Sequence, residues 1–514
     1  MSITVLPTDQ PQRSAAAQPR RSATDQTQRS ATDRTPNSAD RDRTQHSPDR
    51  DQAPLSALER LEVLCDRDSL QLIRSGVLSS PMGEKARAGD GVLGGTGLVD
   101  GRPVFCYSQD SSYVGGSLGA AHASTIVRVM ELADRARAPV VGFVASGGAR
   151  MQEGVAALSG YARIFRRTVQ LSGRVPQISI VAGVCAGGGA YSPALTDWVM
   201  MTEESSMFLT GPKVVCEALG EDVTAVQLGG RRVHEKNGVC HFVARSDLDA
   251  AVLARELLGY LPSHRDLPAP IAAARPPNGR DPATSVPAQA RCVYDVRDVI
   301  RTLVDGGELL EVSDGWARNL VTAMARIDGR TVGVIANQPR YLGGILDAAS
   351  AQKGARFVSK CNTFGIPMLV LVDTPGFMPG TRQEKAGVIR FGATLVHAFA
   401  AATVPRVTVI LRKAFGGAFI TMNAKDLGAD YVFAWPQAQI GVMGAKPAVG
   451  IIHGRELAAA DDPQAHRERL AAKYTDEHLC PRVAASAGYI DELIEPSQTR
   501  SRLVWAFGSL RGAA

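Results

Sequence analysis

The sequence predicts an α/β protein built from two tandem copies of one domain. Two observations carry the prediction. Matches between the halves recur in the same order at a nearly constant offset. In each half, short apolar runs end in glycine-rich turns and lead into helical patterns. Asp100-Gly101-Arg102 returns as Asp328-Gly329-Arg330, and Gly115-Gly116 as Gly343-Gly344, both 228 positions on. Val140–Ser146, closed by Gly147-Gly148, parallels Met368–Thr374, closed by Pro375-Gly376, again at 228. Gly187-Gly188 returns as Gly416-Gly417 at 229, and Thr210-Gly211-Pro212-Lys213 parallels Met443-Gly444-Ala445-Lys446 at 233. A single dipeptide match is noise, but an ordered series with a slowly growing offset indicates a duplication.

Taken in order, the chain opens on a segment unlike the rest. Residues 7–54 contain no Val, Ile, Leu, Met, Phe, Tyr or Trp, and Arg21-Ser-Ala-Thr-Asp25 repeats as Arg29-Ser-Ala-Thr-Asp33. Such a stretch cannot bury enough apolar surface to offset the entropy of ordering, so 1–54 is expected to be a disordered tail. The first domain is expected over 55–265. Within it Ile126–Ala133 has the period of an amphipathic helix, and the apolar run Pro176–Gly183 that of a buried strand. Residues 266–290, rich in Pro and Ala, read as a linker. The second domain, 291–514, repeats the grammar with a helix at Ala355–Cys361, a strand at Arg406–Arg412 and a turn at Ala414–Ala418.

Composition removes several function classes. The chain has 514 residues, 45% of them apolar and 21% charged, as in an ordinary globular protein. It has no apolar run of about 18 residues, the length a membrane-spanning helix needs. A net charge of +6 over this length makes no case for a nucleic-acid protein. The start, Met1-Ser2-Ile3-Thr4, lacks the pattern of a signal peptide. The eight cysteines form no C-x-x-C pair, which argues against a zinc ribbon or redox dithiol, and no metal is expected. The reducing cytoplasm is the expected compartment.

A strand that runs into a glycine turn and then a helix exposes backbone N–H groups, which stabilise a phosphate or a developing oxyanion. Neither G-x-x-x-x-G-K-[ST] nor a G-x-G-x-x-G after a strand is present, so the oxyanion reading fits better. The glycines could also serve tight packing alone, but a matched pair of turns at corresponding positions favours function. Ser146 stands in Ala-Ser-Gly-Gly and not in G-x-S-x-G, and no H-E-x-x-H occurs among the nine histidines. His234 and His241 are expected to be structural, and Glu153 to be an acidic residue near a helix start. Enolate chemistry held by backbone donors, without a side-chain base, is what the pattern supports.

Several motifs together resemble the carboxyltransferase (β) subunits of biotin-dependent acyl-CoA carboxylases, the propionyl-CoA carboxylase β group. They are Phe105–Asp110 with Gly115–Gly119, Ser146–Gly154, Cys185–Gly188 with Tyr191–Asp197, and Thr210–Pro212. In the second half they are Asp373–Gly380 with Gln383-Glu384, Arg412–Ala418, and Leu427–Asp430 with Ala434–Pro436. The resemblance spans roughly 55–514. It implies two tandem crotonase-like (ClpP/crotonase) domains, assembled as a hexamer. The N-terminal half would bind acyl-CoA and the C-terminal half carboxybiotin, the two meeting across a dimer interface. It further implies that Gly187, Gly188 and Gly189 hold the thioester oxygen, and that Gly417 and Ala418 hold the biotin carbonyl. Ser146, Gly147, Gly148, Ala149, Arg150, Tyr191 and Ile420 would contact the acyl-CoA. The repeat pairs Gly417-Ala418 with Gly188-Gly189, whereas the resemblance favours Gly187-Gly188, and the sequence leaves that choice open.

With carboxybiotin as both CO2 donor and base, the missing side-chain base is expected. The chain has neither a biotinyl Met-Lys-Met motif nor an ATP-binding loop, so a biotin carboxylase and a biotinyl carrier are expected as partners. Ile420 stands where propionyl-specific relatives often carry Asp, which points to an acetyl, longer or branched acyl group. Lys446-Pro447 and Gly450 also depart from the pattern, which keeps a non-catalytic scaffold subunit as an alternative. A decarboxylase or transcarboxylase component would use the same residues.

Overall fold

The computed structural model describes residues 54–289 and 291–510. The expected tail, apart from Pro54, lies outside the described residues, as does Ala290 at the end of the expected linker. The rest forms two eight-stranded sheets of identical topology. The first runs Gln71–Ile73, Val92–Val99, Arg102–Gln109, Val140–Ser146, Gln177–Ala186, Trp198–Thr202 and Phe242–Ala244, and Ser206–Phe208 pairs with Gln177–Ala186 off this path. The second runs Leu309–Glu311, Leu320–Ile327, Arg330–Asn337, Met368–Thr374, Arg406–Phe415, Tyr431–Ala434 and Glu492–Leu493, with Gln439–Gly441 beside Arg406–Phe415. In each, the first three strands are antiparallel and the remainder parallel. Six of the eight strand starts, from Val92 and Leu320 to Ser206 and Gln439, follow the offsets of 228 to 233 read from the sequence.

Local chemistry explains the elements. Each antiparallel hairpin turns on an Asp-Gly pair with both φ angles positive: Asp100 (49°) with Gly101 (75°), and Asp328 (55°) with Gly329 (74°). That is the two-residue turn whose twist matches the flanking strands. The central parallel strands Val140–Ser146 and Met368–Thr374 are buried at every residue, because helices cover both faces. The helices run further than their apolar periodicity indicates: Ala120–Ala136 and Ala348–Thr363. Their first turns are fixed by caps. Asp347 accepts the Ser350 N–H, and the remote Glu153 accepts the Ala120 N–H at 2.7 Å.

One core runs through both halves. Phe143, Trp198 and Leu257 of the first belong to the same buried cluster as Met324, Phe357 and Phe364 of the second. Across this junction Arg356 Nη1 donates to Gly238 O at 2.9 Å, Arg326 Nη2 to Gly259 O at 2.8 Å, and the Ser313 N–H to His241 O at 2.8 Å. Among its described residues, the Pro- and Ala-rich stretch between the sheets has only the 3₁₀ turn Pro282–Ser285. It is tied down by Arg412, whose Nη1 donates to the carbonyls of Pro287 and Gln289 at 3.3 and 3.0 Å.

Candidate active site

The two glycine turns occupy equivalent places. In the first sheet, strands Val140–Ser146 and Gln177–Ala186 slip register after Val144, so that Ser146 faces Cys185. In the second, Met368–Thr374 and Arg406–Phe415 slip after Val372, and Thr374 faces Ala414. Each long strand then ends in a glycine with positive φ: Gly187 at 57° and Gly416 at 59°. Gly187 also has ψ −123°, a combination open only to glycine. Helices Gly188–Ala194 and Gly416–Thr421 follow.

The turns decide which N–H groups are available. The Gly187 N–H is spent on Phe208 O at 3.1 Å. Gly188 and Gly189 open the helix, where N–H groups have no carbonyl four residues back to bond. Matching the positive-φ glycines pairs Gly188-Gly189 with Gly417-Ala418. Gly417 is exposed at the mouth of a groove of about 510 Å³, walled by Phe377, Met378, Val388 and Ile389.

The remaining residues expected at the site divide into two groups. Tyr191 and Ile420 are exposed on the turn helices, at 52% and 51%. Gly147 is exposed and Ala149 half-buried, while Gly148, Ser146 and Arg150 are buried. Arg150, which the resemblance places against the acyl-CoA, is enclosed by protein groups. Its guanidinium is enclosed, with Nη1 2.5 Å from Asp90 Oδ1 and 2.9 Å from Glu153 Oε1, and Nη2 2.9 Å from Ser117 O. Ser146 is likewise turned inward. Its Oγ accepts the Gly148 N–H at 3.3 Å and lies 2.9 Å from Tyr161 Oη.

Both carboxylates that flank the turns in sequence are engaged elsewhere. Glu153 accepts from Ala120 N–H, Ser79 Oγ (2.7 Å) and Arg150. Burial raises its pKa, but these three donors outweigh burial and hold it below the usual carboxylate range. Asp373 is enclosed by Arg412 Nε (3.0 Å), Tyr294 Oη (2.9 Å) and the Lys413 N–H (3.2 Å), and burial pushes its carboxyl up against the pull of Arg412. His234 Nε2 lies 2.6 Å from Met207 O, and His241 Nδ1 accepts the Val199 N–H at 3.0 Å, so both are structural. Among the described residues, no group of three His, Cys, Asp or Glu side chains is placed to hold a metal ion.

Sequence reasoning missed Asp90, His122 and Tyr161. Asp90 stands 60 positions before Arg150, and no local pattern marks the pairing. Tyr161 reads as one more apolar position of an amphipathic helix.

Duplicated α/β domains, each ending a buried strand in a positive-φ glycine turn that opens a helix, are the architecture of this chain. The family follows from comparison with known proteins. This chain belongs to the carboxyltransferase family, whose carboxyl transferase domain matches residues 48–511. It is 45% identical over 471 residues to the methylmalonyl-CoA carboxyltransferase 12S subunit of Propionibacterium freudenreichii subsp. shermanii, covering 90% of this chain and 89% of that one. It is 45% identical over 466 residues to the biotin-dependent acetyl-/propionyl-coenzyme A carboxylase beta5 subunit of Mycobacterium tuberculosis, covering 87% and 85%. The transcarboxylase 12S crystal structure, a hexamer with methylmalonyl-coenzyme A and methylmalonic acid bound, superposes with a TM-score of 0.85 at 44% identity over 90% of each chain. The fold is therefore the tandem crotonase-like fold expected from the resemblance.

Proposed function

We propose that this chain is the carboxyltransferase subunit of a biotin-dependent acyl-CoA carboxylase, acting on the α-carbon of an acetyl-, propionyl-, longer or branched acyl-CoA. The observation that carries the reading is the pair of positive-φ glycines, Gly187 and Gly416, that end equivalent strands and open equivalent helices. In the N-terminal half, Gly188 and Gly189 N–H hold the thioester oxygen as charge develops on it. Gly147, Gly148 and Ala149 form the adjoining wall, Tyr191 and Ile420 face the acyl group, and Ser146 and Arg150 support the wall from beneath. In the C-terminal half, Gly417 and Ala418 hold the carbonyl oxygen of the biotin ring. The groove beside Gly417 fits that group, since its largely apolar walls suit a flat, uncharged ring. When bound, carboxybiotin supplies the CO2 and the base for the α-proton. Glu153 and Asp373 stay in their internal contacts throughout.

The reading assigns 55–265 to the acyl-CoA side and 291–514 to the biotin side, with 266–290 as the connection and 1–54 as a tail. It calls for a biotin carboxylase, a biotinyl carrier protein and a hexamer of this chain in the cytoplasm, where eight unpaired cysteines are in keeping with a reducing milieu. The likeness to the 12S subunit favours a second reading, a transcarboxylase component that runs the same half-reaction in reverse. Reconstitution with a biotin carboxylase and a biotinyl carrier, over acyl-CoAs from acetyl to medium chain, tests both. ATP- and bicarbonate-dependent carboxylation supports the first. Carboxyl transfer only from a malonyl-CoA-type donor to the carrier supports the second. No transfer in either direction leaves the scaffold role.

A further inference from the structure

One side chain touches both glycine loops of the N-terminal half. Tyr161 lies on helix Val155–Leu171 and is 4% exposed. Its ring forms the floor under Gly188, where a Cβ would fall 2.7 Å from Tyr161 Cγ and 2.8 Å from Cδ1 and Cδ2. Its hydroxyl is 2.9 Å from Ser146 Oγ, and the same Oγ accepts the Gly148 N–H. A Cβ on Gly189 would lie 3.2 Å from Ser146 Cβ and 3.5 Å from Tyr161 Oη. Further along, Phe165 packs between Tyr161 and Tyr191, with ring centroids 5.8 and 6.2 Å away. Helix Gly188–Ala194 is thus held at its first residue and at Tyr191 from the helix below.

The C-terminal half is built differently. Thr374 Oγ1 accepts the Gly376 N–H at 3.3 Å, as Ser146 does for Gly148, but its own hydroxyl turns back to Gly376 O at 3.3 Å. Where the first half has Gly189 against Ser146 and Tyr161, the second has Ala418, fully buried. The duplication thus placed a hydrogen-bonded aromatic ring under only one of the two turns.

We infer that Tyr161 is the positioning residue of the acyl-CoA turn: its ring sets the height of Gly188, and its hydroxyl, through Ser146, fixes the Ser146–Gly148 loop against Gly189. This rests on the carboxyltransferase reading. The chemical need is clear, because N–H donors stabilise an oxyanion only when held on target before the charge forms. Burial pushes the phenol up to about 12, so it stays protonated for the Ser146 contact at working pH.

The test uses the full chain reconstituted with a biotin carboxylase and a biotinyl carrier, on an acyl-CoA that the parent carboxylates. Tyr161→Phe keeps the floor and loses the hydroxyl, whereas Tyr161→Leu loses both. We expect kcat to fall about 10-fold in Tyr161→Phe and about 100-fold in Tyr161→Leu, at unchanged KM for acyl-CoA. Turnover of carboxybiotin in the absence of acyl-CoA, which uses the other turn, should stay at the parent rate. Ser146→Ala should match Tyr161→Phe, and the double variant should add nothing. A raised KM at parental kcat, equal losses in both assays, or additive effects of Ser146→Ala and Tyr161→Phe would overturn the inference. A misfolded Tyr161→Leu leaves the Ser146→Ala and Tyr161→Phe cycle to decide. A parent that carboxylates no acyl-CoA overturns the functional reading, and with it the inference. A working parent that Tyr161→Leu leaves untouched overturns the inference alone.

Discussion

Arg150 and Asp90 form an ion pair of 2.5 Å in which both side chains are wholly excluded from solvent. Asp90 Oδ2 also accepts the His122 backbone N–H at 2.8 Å, and Glu153 Oε1 accepts from the same Nη1 of Arg150 at 2.9 Å. The turn before Val92, the glycine loop and the start of helix Ala120–Ala136 are therefore fastened around one guanidinium. Arg150→Met leaves two buried carboxylates without their cation and should destabilise the fold by about 3–5 kcal/mol, read as a lowered melting temperature. A variant that melts like the parent while KM for acyl-CoA rises would place Arg150 in direct ligand contact.

The legible part of this protein was whatever the duplication wrote twice. Asp100-Gly101 and Asp328-Gly329 marked the repeat without announcing the hairpins they close, and Gly187 and Gly416 marked both turns, because positive-φ backbone leaves a glycine signature. The junction between halves was not legible. Arg356 meeting Gly238 O, or Arg412 holding the connection at Pro287, depends on residues 118 and 125 positions apart, with no period to announce them. The same holds at the site. No local pattern marks Asp90 as the partner of Arg150, and nothing in the sequence places the Phe208 carbonyl on the Gly187 N–H.

Alanine in the two turns should act unequally. At Gly188 the new methyl meets ring atoms of Tyr161 at 2.7 Å, whereas at Gly417 the nearest atom, Phe377 Cδ2, is 4.0 Å away. Gly188→Ala must displace the ring or lift the turn, and kcat should fall on the order of 10²–10³-fold, the usual loss for a misplaced oxyanion donor. Gly417→Ala should melt with the parent, its effect confined to KM for the biotinyl carrier. Equal kcat losses in both variants would contradict the asymmetry.

Ile420 lies three positions after Gly417, half exposed on the turn helix. An apolar side chain there suits an apolar acyl tail, and a carboxylate would have to be desolvated against it. Ile420→Asp should shift the kcat/KM ratio of propionyl- over longer acyl-CoA by about 10-fold or more, the scale of one or two methylenes in a pocket. Competition assays on mixed acyl-CoAs measure this directly, and an unchanged ratio removes Ile420 from acyl selection.

Lys360 is neutral in the fold above about pH 7, and its neighbour shows why. The Val199 N–H donates to His241 Nδ1 at 3.0 Å, so the imidazole hydrogen sits on Nε2, and Nε2 faces Lys360 Nζ at 3.2 Å. The amine must therefore accept. Burial brings Lys360 down to about 7 from its ordinary 10.5, with Asp197 opposing and Arg356 assisting. The unfolded chain keeps this proton up to about pH 10.5, whereas the folded chain gives it up above about pH 7. Between these values the unfolded state binds more protons, so stability rises with pH by about 1.4 kcal/mol per unit from this group, and below pH 7 its contribution is flat. Lys360→Met has no such group. Its stability advantage over the parent should be largest at and below pH 7 and shrink steadily toward pH 10. Melting curves of the two chains across that range measure the difference, and curves that run parallel would mean that Lys360 is charged in the fold.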